Sequence, residues 1–181
     1  DSRATKLYHQ FQQLALSGSA VASSDPARDI VIKAEPDERR LLQRVEQFRK
    51  ERRIDAAVNL LSKGLEIRPQ YRAARFMLGY MLMETGQITR SAEHARILIE
   101  ANQNDPVGHG LLAFGLTQQA RISEAMDAFR ECIRCLPSNN AAWSNMLFAS
   151  LYGDDHEAQT VTQLHRKAGA AIERNVVGSG A

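Results

Sequence analysis

Residues 107–137 read VGHGLLAFGLTQQARISEAMDAFRECIRCLP, and the spacing of their apolar positions decides the fold. Leu111, Leu112, Gly115 and Leu116 recur at intervals that place them on one face of a helix. After a tight break, Ile122, Ala125, Met126, Phe129 and Ile133 repeat the pattern. Ala128 and Cys132 keep that side narrow enough for another helix backbone to approach. Pro137 ends the second helix, because it has no amide to donate and disfavours helix in the residue before it. The stretch predicts a helical hairpin.

The same hairpin returns along the chain at a shift of 34 residues, aligning Ile54 with Ile88 and Ile122, Ala57 with Ser91 and Ala125, and Leu61 with Ala95 and Phe129. Leu78, Leu112 and Met146 keep the register, as do Gly79, Ala113 and Leu147, and Pro69 precedes Pro137 by 68. The segments LGYMLMETGQ at 78–87, ARISEAMDAFRECIRCLP at 120–137 and AAWSNML at 141–147 carry the pattern best. With this period, a small residue opening the second helix and a proline after it, the chain resembles the tetratricopeptide repeat family. The resemblance implies an all-α solenoid of antiparallel helix pairs wound into a right-handed superhelix, whose first helices line a concave face.

Composition suits such an array. Apolar residues make up 44% of the chain and aromatics only 6%, so Ala, Leu and Ile carry most of the packing, as close helix contacts require. A net charge of +2 is too small to imply a nucleic-acid or membrane partner. No apolar run is long enough to span a bilayer. The start at Asp1, with no Met and no basic-then-apolar leader, reads as a processed or excised chain.

Taken in order, residues 1–36 comprise an amphipathic helix over Thr5–Leu16, with Leu7, Phe11 and Leu14 on one side, and the linker SGSAVASSDPARD at 17–29. The array spans 37–152. Its first unit takes Glu38–Arg52 and Asp55–Arg68, its second Arg72–Thr85 and Thr89–Asn102, and its third runs from Asp105 to Pro137. A fourth first helix covers Asn140–Tyr152, and 153–181 holds a longer capping or linking helix from His156 to Arg174 followed by a frayed tail.

Signs of chemistry are few. Cys132 and Cys135 spell CxxC, but in the last turn of a helix, where backbone carbonyls oppose a thiolate, so the pair reads as packing. The five histidines share no metal-binding spacing, and no GxSxG, GxGxxG or P-loop signature occurs. We therefore expect no catalytic residue, no cofactor and no metal. Residues 38–75 hold 11 Arg or Lys against 5 Asp or Glu, but the basic side chains spread around their helix, which disfavours nucleic acid.

The concave positions are the informative ones. By register they are Leu42, Glu46 and Arg49, then Phe76, Tyr80 and Met83, then Gly110, Phe114 and Thr117, then Ser144, Phe148 and Leu151. They predict a partly exposed apolar trough that receives a peptide or helix of a protein partner. At the places where some family members grip an acidic tail with a basic clamp, this chain has Leu42, Ala73, Glu46, Met77 and Leu111, so that mode is not expected. The fourth unit also resembles the junction of bacterial repeat-linked glycosyltransferases of the O-GlcNAc-transferase type, through Ser144, Asn145, Met146, Leu147, Phe148, His165 and Arg166. That resemblance implies, as an alternative, the substrate-recognising part of such an enzyme. A third reading is self-association, with the chain's own N-terminal helix in the groove. The expected location is cytoplasmic.

Overall fold

Repeat spacing sets where each helix begins. The computed structural model describes residues 36–152 and 158–177, and among them lie eight helices and no strand. They are α1 (Pro36–Lys50), α2 (Ile54–Ile67), α3 (Arg72–Glu84), α4 (Ile88–Ala101), α5 (Pro106–Gln118), α6 (Ile122–Cys135), α7 (Asn140–Ser150) and α8 (Ala158–Val177). The second helices open on Ile54, Ile88 and Ile122 and the first helices of units two to four on Arg72, Pro106 and Asn140, so both series keep the 34-residue interval. The predicted N-terminal helix and linker lie outside the described residues.

Each turn inside a hairpin also falls on register. Arg52 (φ 57°), Gly86 (φ 77°) and Ala120 (φ 57°) are left-handed, and such a residue closes a helix so that the chain can reverse at once. Only Gly86 does so without a Cβ in the way.

Packing runs from one hairpin to the next. Ala57, Ser91 and Ala125, the small residues of the second helices, are all fully buried where paired helices meet. A Cβ on Gly79 would lie 2.6 Å from Leu111 Cδ2 and 3.3 Å from His94 Cβ, so the glycine lets α3 close on both α4 and α5. The core falls into two clusters, one from α1 to α5 and one from α5 to α8, and Leu112 packs against both. In α8, Ala168 and Ala171 are buried and Leu164 packs on the second cluster.

The hairpins are also joined by polar contacts. Asp105 caps α5, its carboxylate accepting from the Val107 and Gly108 amides at 2.8 and 3.2 Å, with Pro106 in the first turn. Arg72, at the start of α3, donates its Nε to the same carboxylate at 2.6 Å. Tyr71 gives α3 no side-chain cap, and Glu38 from α1 takes over, accepting the Ala74 amide at 2.8 Å. Asn139 caps α7 through the Ala142 amide at 3.0 Å.

Candidate functional site

The first helices α1, α3, α5 and α7 present the positions the register assigned to the concave face, and the structure treats equivalent positions very differently. In α1, Leu42 is buried, and Glu46 and Arg49 form an ion pair at 3.5 Å. In α3, Phe76, Tyr80 and Met83 are buried, with the Phe76 and Tyr80 rings 6.2 Å apart. These three side chains were expected to be partly exposed; they belong instead to the first core cluster. Every residue of α3 from Phe76 to Met83 is buried, as in a helix covered on all sides.

Exposure rises further along the array. Gly110 is buried and offers no side chain, while Phe114 and Thr117 are half-buried. Ser144 is exposed, and Phe148 and Leu151 stand 39% and 65% open. Tyr80, Phe114 and Phe148 hold one register position in successive units, yet Tyr80 is 2% exposed and Phe148 39%.

The open end forms a cavity of about 530 Å³ between α5, α6 and α7. Phe114 and Thr117 line one side, Asn145, Phe148 and Tyr152 the other, and Ile122 and Phe129 of α6 lie beneath. Phe148 and Tyr152 meet edge to face at 5.1 Å. Thr117 spends its hydroxyl on the Ala113 carbonyl at 2.9 Å, and Ser144 does the same to Asn140. The cavity wall is therefore apolar and aromatic, with amides at Gln118 and Asn145 and no charged side chain. Of the twelve expected groove residues, Phe114, Thr117 and Phe148 are brought together here. Tyr152 was missed, although its place four residues after Phe148 puts it on the same helical face.

Reactive groups elsewhere are tied down. Cys132 and Cys135 are buried free thiols at the end of α6, and Cys132 Sγ donates to the Pro106 carbonyl at 3.1 Å. Burial, reinforced by Cys135, pushes the Cys132 thiol up to about 12, which disfavours the thiolate that redox chemistry needs. The basic first unit spends part of its charge locally: Arg44 and Arg53 stack on the Phe48 ring, 4.8 and 4.7 Å from its centroid. Among the described residues, no group of three or more His, Cys, Asp or Glu could hold a metal ion. None of the described helices is long and apolar enough to cross a membrane.

Fold and groove together define the class: a helical-repeat solenoid with a concave face that is open at one end. Residues 48–113 match the family model for the tetratricopeptide repeat, and helix pairs of the same kind continue on both sides of that stretch, so the fold is a TPR-type α-solenoid. Among solved structures, it is similar to MamA (41-end) from Desulfovibrio magneticus RS-1, with a TM-score of 0.65 and 16% identity over 96% of this chain and 97% of that one. YrrB, described as a TPR protein with an unusual peptide-binding site, matches with a TM-score of 0.61 and 17% identity over 74% of this chain and 68% of that one. The first TPR of Spaghetti (RPAP3), solved with an HSP90 peptide bound, matches with a TM-score of 0.59 and 12% identity over 66% of this chain and 96% of that one. No curated protein sequence matches the chain. The glycosyltransferase resemblance of the fourth unit has no counterpart among the relatives named here.

Proposed function

We propose that this protein is a non-catalytic interaction scaffold that holds an apolar peptide or amphipathic helix of a protein partner in its concave face. The observation that carries this reading is the uncharged aromatic cavity of Phe114, Phe148 and Tyr152 beside half-buried Asn145. An apolar side chain buried there would contribute about 1.5–3 kcal/mol, and the Asn145 carboxamide offers a donor and an acceptor to a peptide backbone. Structural relatives described with peptide sites or bound peptides support the reading.

A displayed random-peptide library panned on the full chain tests it. Enriched peptides should carry an aromatic or long aliphatic anchor, and Phe148→Ala should weaken them by roughly tenfold or more, the equivalent of about 1.4 kcal/mol, with little change in melting temperature. Tyr80→Ala is the contrasting control: it removes a buried ring and should cost about 3–5 kcal/mol of stability. Peptides that bind Phe148→Ala as well as the parent chain would place the site elsewhere.

A further inference from the structure

Charge is distributed unevenly along this chain. Residues 38–75 carry a net +6 in a molecule of net +2, so −4 lies elsewhere. Within α1 the charges are sorted by face. Glu46 and Arg49 pair with each other, and Glu38 is buried where it accepts the Ala74 amide. Arg39, Arg40, Arg44 and Lys50 are all exposed, and at about 100° per residue they fall within a sector of about 140°, turned away from buried Leu42 and Val45. By composition alone the basic side chains spread around this helix; burial and ion pairing remove the inward ones and leave the rest on one side. Arg52 and Arg53, also exposed, follow in the turn that closes α1. Arg39, Arg40, Lys50 and Arg52 enter no ion pair among the described residues. The acids of this side are Asp37 in the first turn and Glu51, which Arg53 takes at 3.2 Å. Arg44 and Arg53 rest on the Phe48 ring, which holds two guanidinium groups near one another and lowers the cost of ordering them against a ligand.

We infer that the outer face of α1 is a second binding surface, separate from the cavity at α5–α7, and that it takes a short acidic segment of a protein partner, whose side-chain carboxylates the arginines hold. Five of the six exposed basic side chains, all but Lys50, are arginines, and a planar guanidinium meets a carboxylate in two parallel hydrogen bonds. The protein makes that contact internally where Arg72 grips Asp105 through Nε and Nη2. From Arg39 to Lys50 the face is about 16 Å long at ~1.5 Å per residue, which an extended segment of about five residues covers. Two rival polyanions fit less well. A nucleic-acid strand gains much of its hold by stacking bases on aromatic rings, and the aromatic ring of this helix, Phe48, is already occupied by two arginines. A long polyanion also meets the net −4 of the remaining chain. For a lipid surface, the exposed positions between the basic residues are Gln43 and Gln47, so no apolar side chain is offered for insertion.

The test uses the full chain and a fluorescein-labelled peptide of about ten Asp and Glu residues, long enough to span the face, read by fluorescence anisotropy. A single strand of DNA of equal charge and vesicles of phosphatidylcholine with phosphatidylserine are the rival probes. The peptide should bind, and Arg39→Glu with Arg40→Glu should weaken it by roughly tenfold or more without lowering the melting temperature, since both side chains are exposed. Arg39→Lys with Arg40→Lys keeps the charge but loses the fork, and should still cost about threefold. Arg130→Glu on α6 and Phe148→Ala in the cavity should change binding by less than about twofold, so this surface stands or falls apart from the concave-face reading. No peptide binding, or binding indifferent to the Arg39 and Arg40 reversals, overturns the surface. Lysine variants that bind like the parent would leave undirected charge attraction and overturn the guanidinium contact. Tighter binding of DNA or vesicles through the same two arginines would overturn the acidic segment in favour of that partner. Self-association in sedimentation that the same reversal abolishes would assign the face to a second copy of the chain instead.

Discussion

Ser91 is fully buried and its hydroxyl has no hydrogen-bond partner among the described residues, while the same position holds Ala57 and Ala125 in the neighbouring units. A buried polar atom left unmatched costs about 1–3 kcal/mol, and alanine also has the higher helix propensity. Ser91→Ala should therefore raise stability by about 1 kcal/mol in urea unfolding, within the range of that penalty; a loss would mean the hydroxyl does something in the native state that its geometry conceals. Ala120 is a second position where the repeat acts as its own control. It adopts the left-handed turn that Gly86 occupies one unit earlier. A Cβ there costs about 1–2 kcal/mol, against about 0.4–1 kcal/mol of added chain entropy in the unfolded state for glycine. Ala120→Gly should come out more stable by about 0.5–1 kcal/mol on those figures, read as a higher denaturation midpoint with an unchanged slope; an unchanged midpoint would mean the turn carries no strain.

At the scale of elements, Asp105 joins two hairpins by capping α5 and receiving Arg72 from α3, and it is completely buried. Asp105→Ala removes a cap worth about 1–2 kcal/mol and a charge-assisted bond worth about 1.5–3 kcal/mol. A total loss of about 2.5–5 kcal/mol follows from those terms. Arg72→Ala should cost less, because the Arg72 side chain is 26% exposed and the cap survives its removal. Equal losses for the two variants, measured by denaturant unfolding, would show the ion pair and not the cap to be the tie. The cap carries a sequence signature, Asp followed by Pro at a helix start, although the sequence reading took Asp105 only as the start of the third unit. The pairing with Arg72 carries none, because periodicity says which residues share a face and not which side chain reaches across to the next hairpin.

Across the whole molecule, the helix boundaries followed the sequence closely: second helices open on the three isoleucines that set the period, and Pro137 lies just beyond α6. The groove followed it less well. Reading one register position as one environment predicted similar exposure for Tyr80, Phe114 and Phe148, and the structure separates them from 2% to 39%. Glu46 and Arg49, equally on register, close on each other as an ion pair. By itself, the sequence determined the helical hairpins, their interval and the small residues at their contacts, because these depend on interactions between residues near in the chain or one repeat apart. Tertiary structure alone decided which stretch of the concave face is closed and which is open. Burial at a given position depends on everything stacked over it, and that sum is not periodic even when the sequence is.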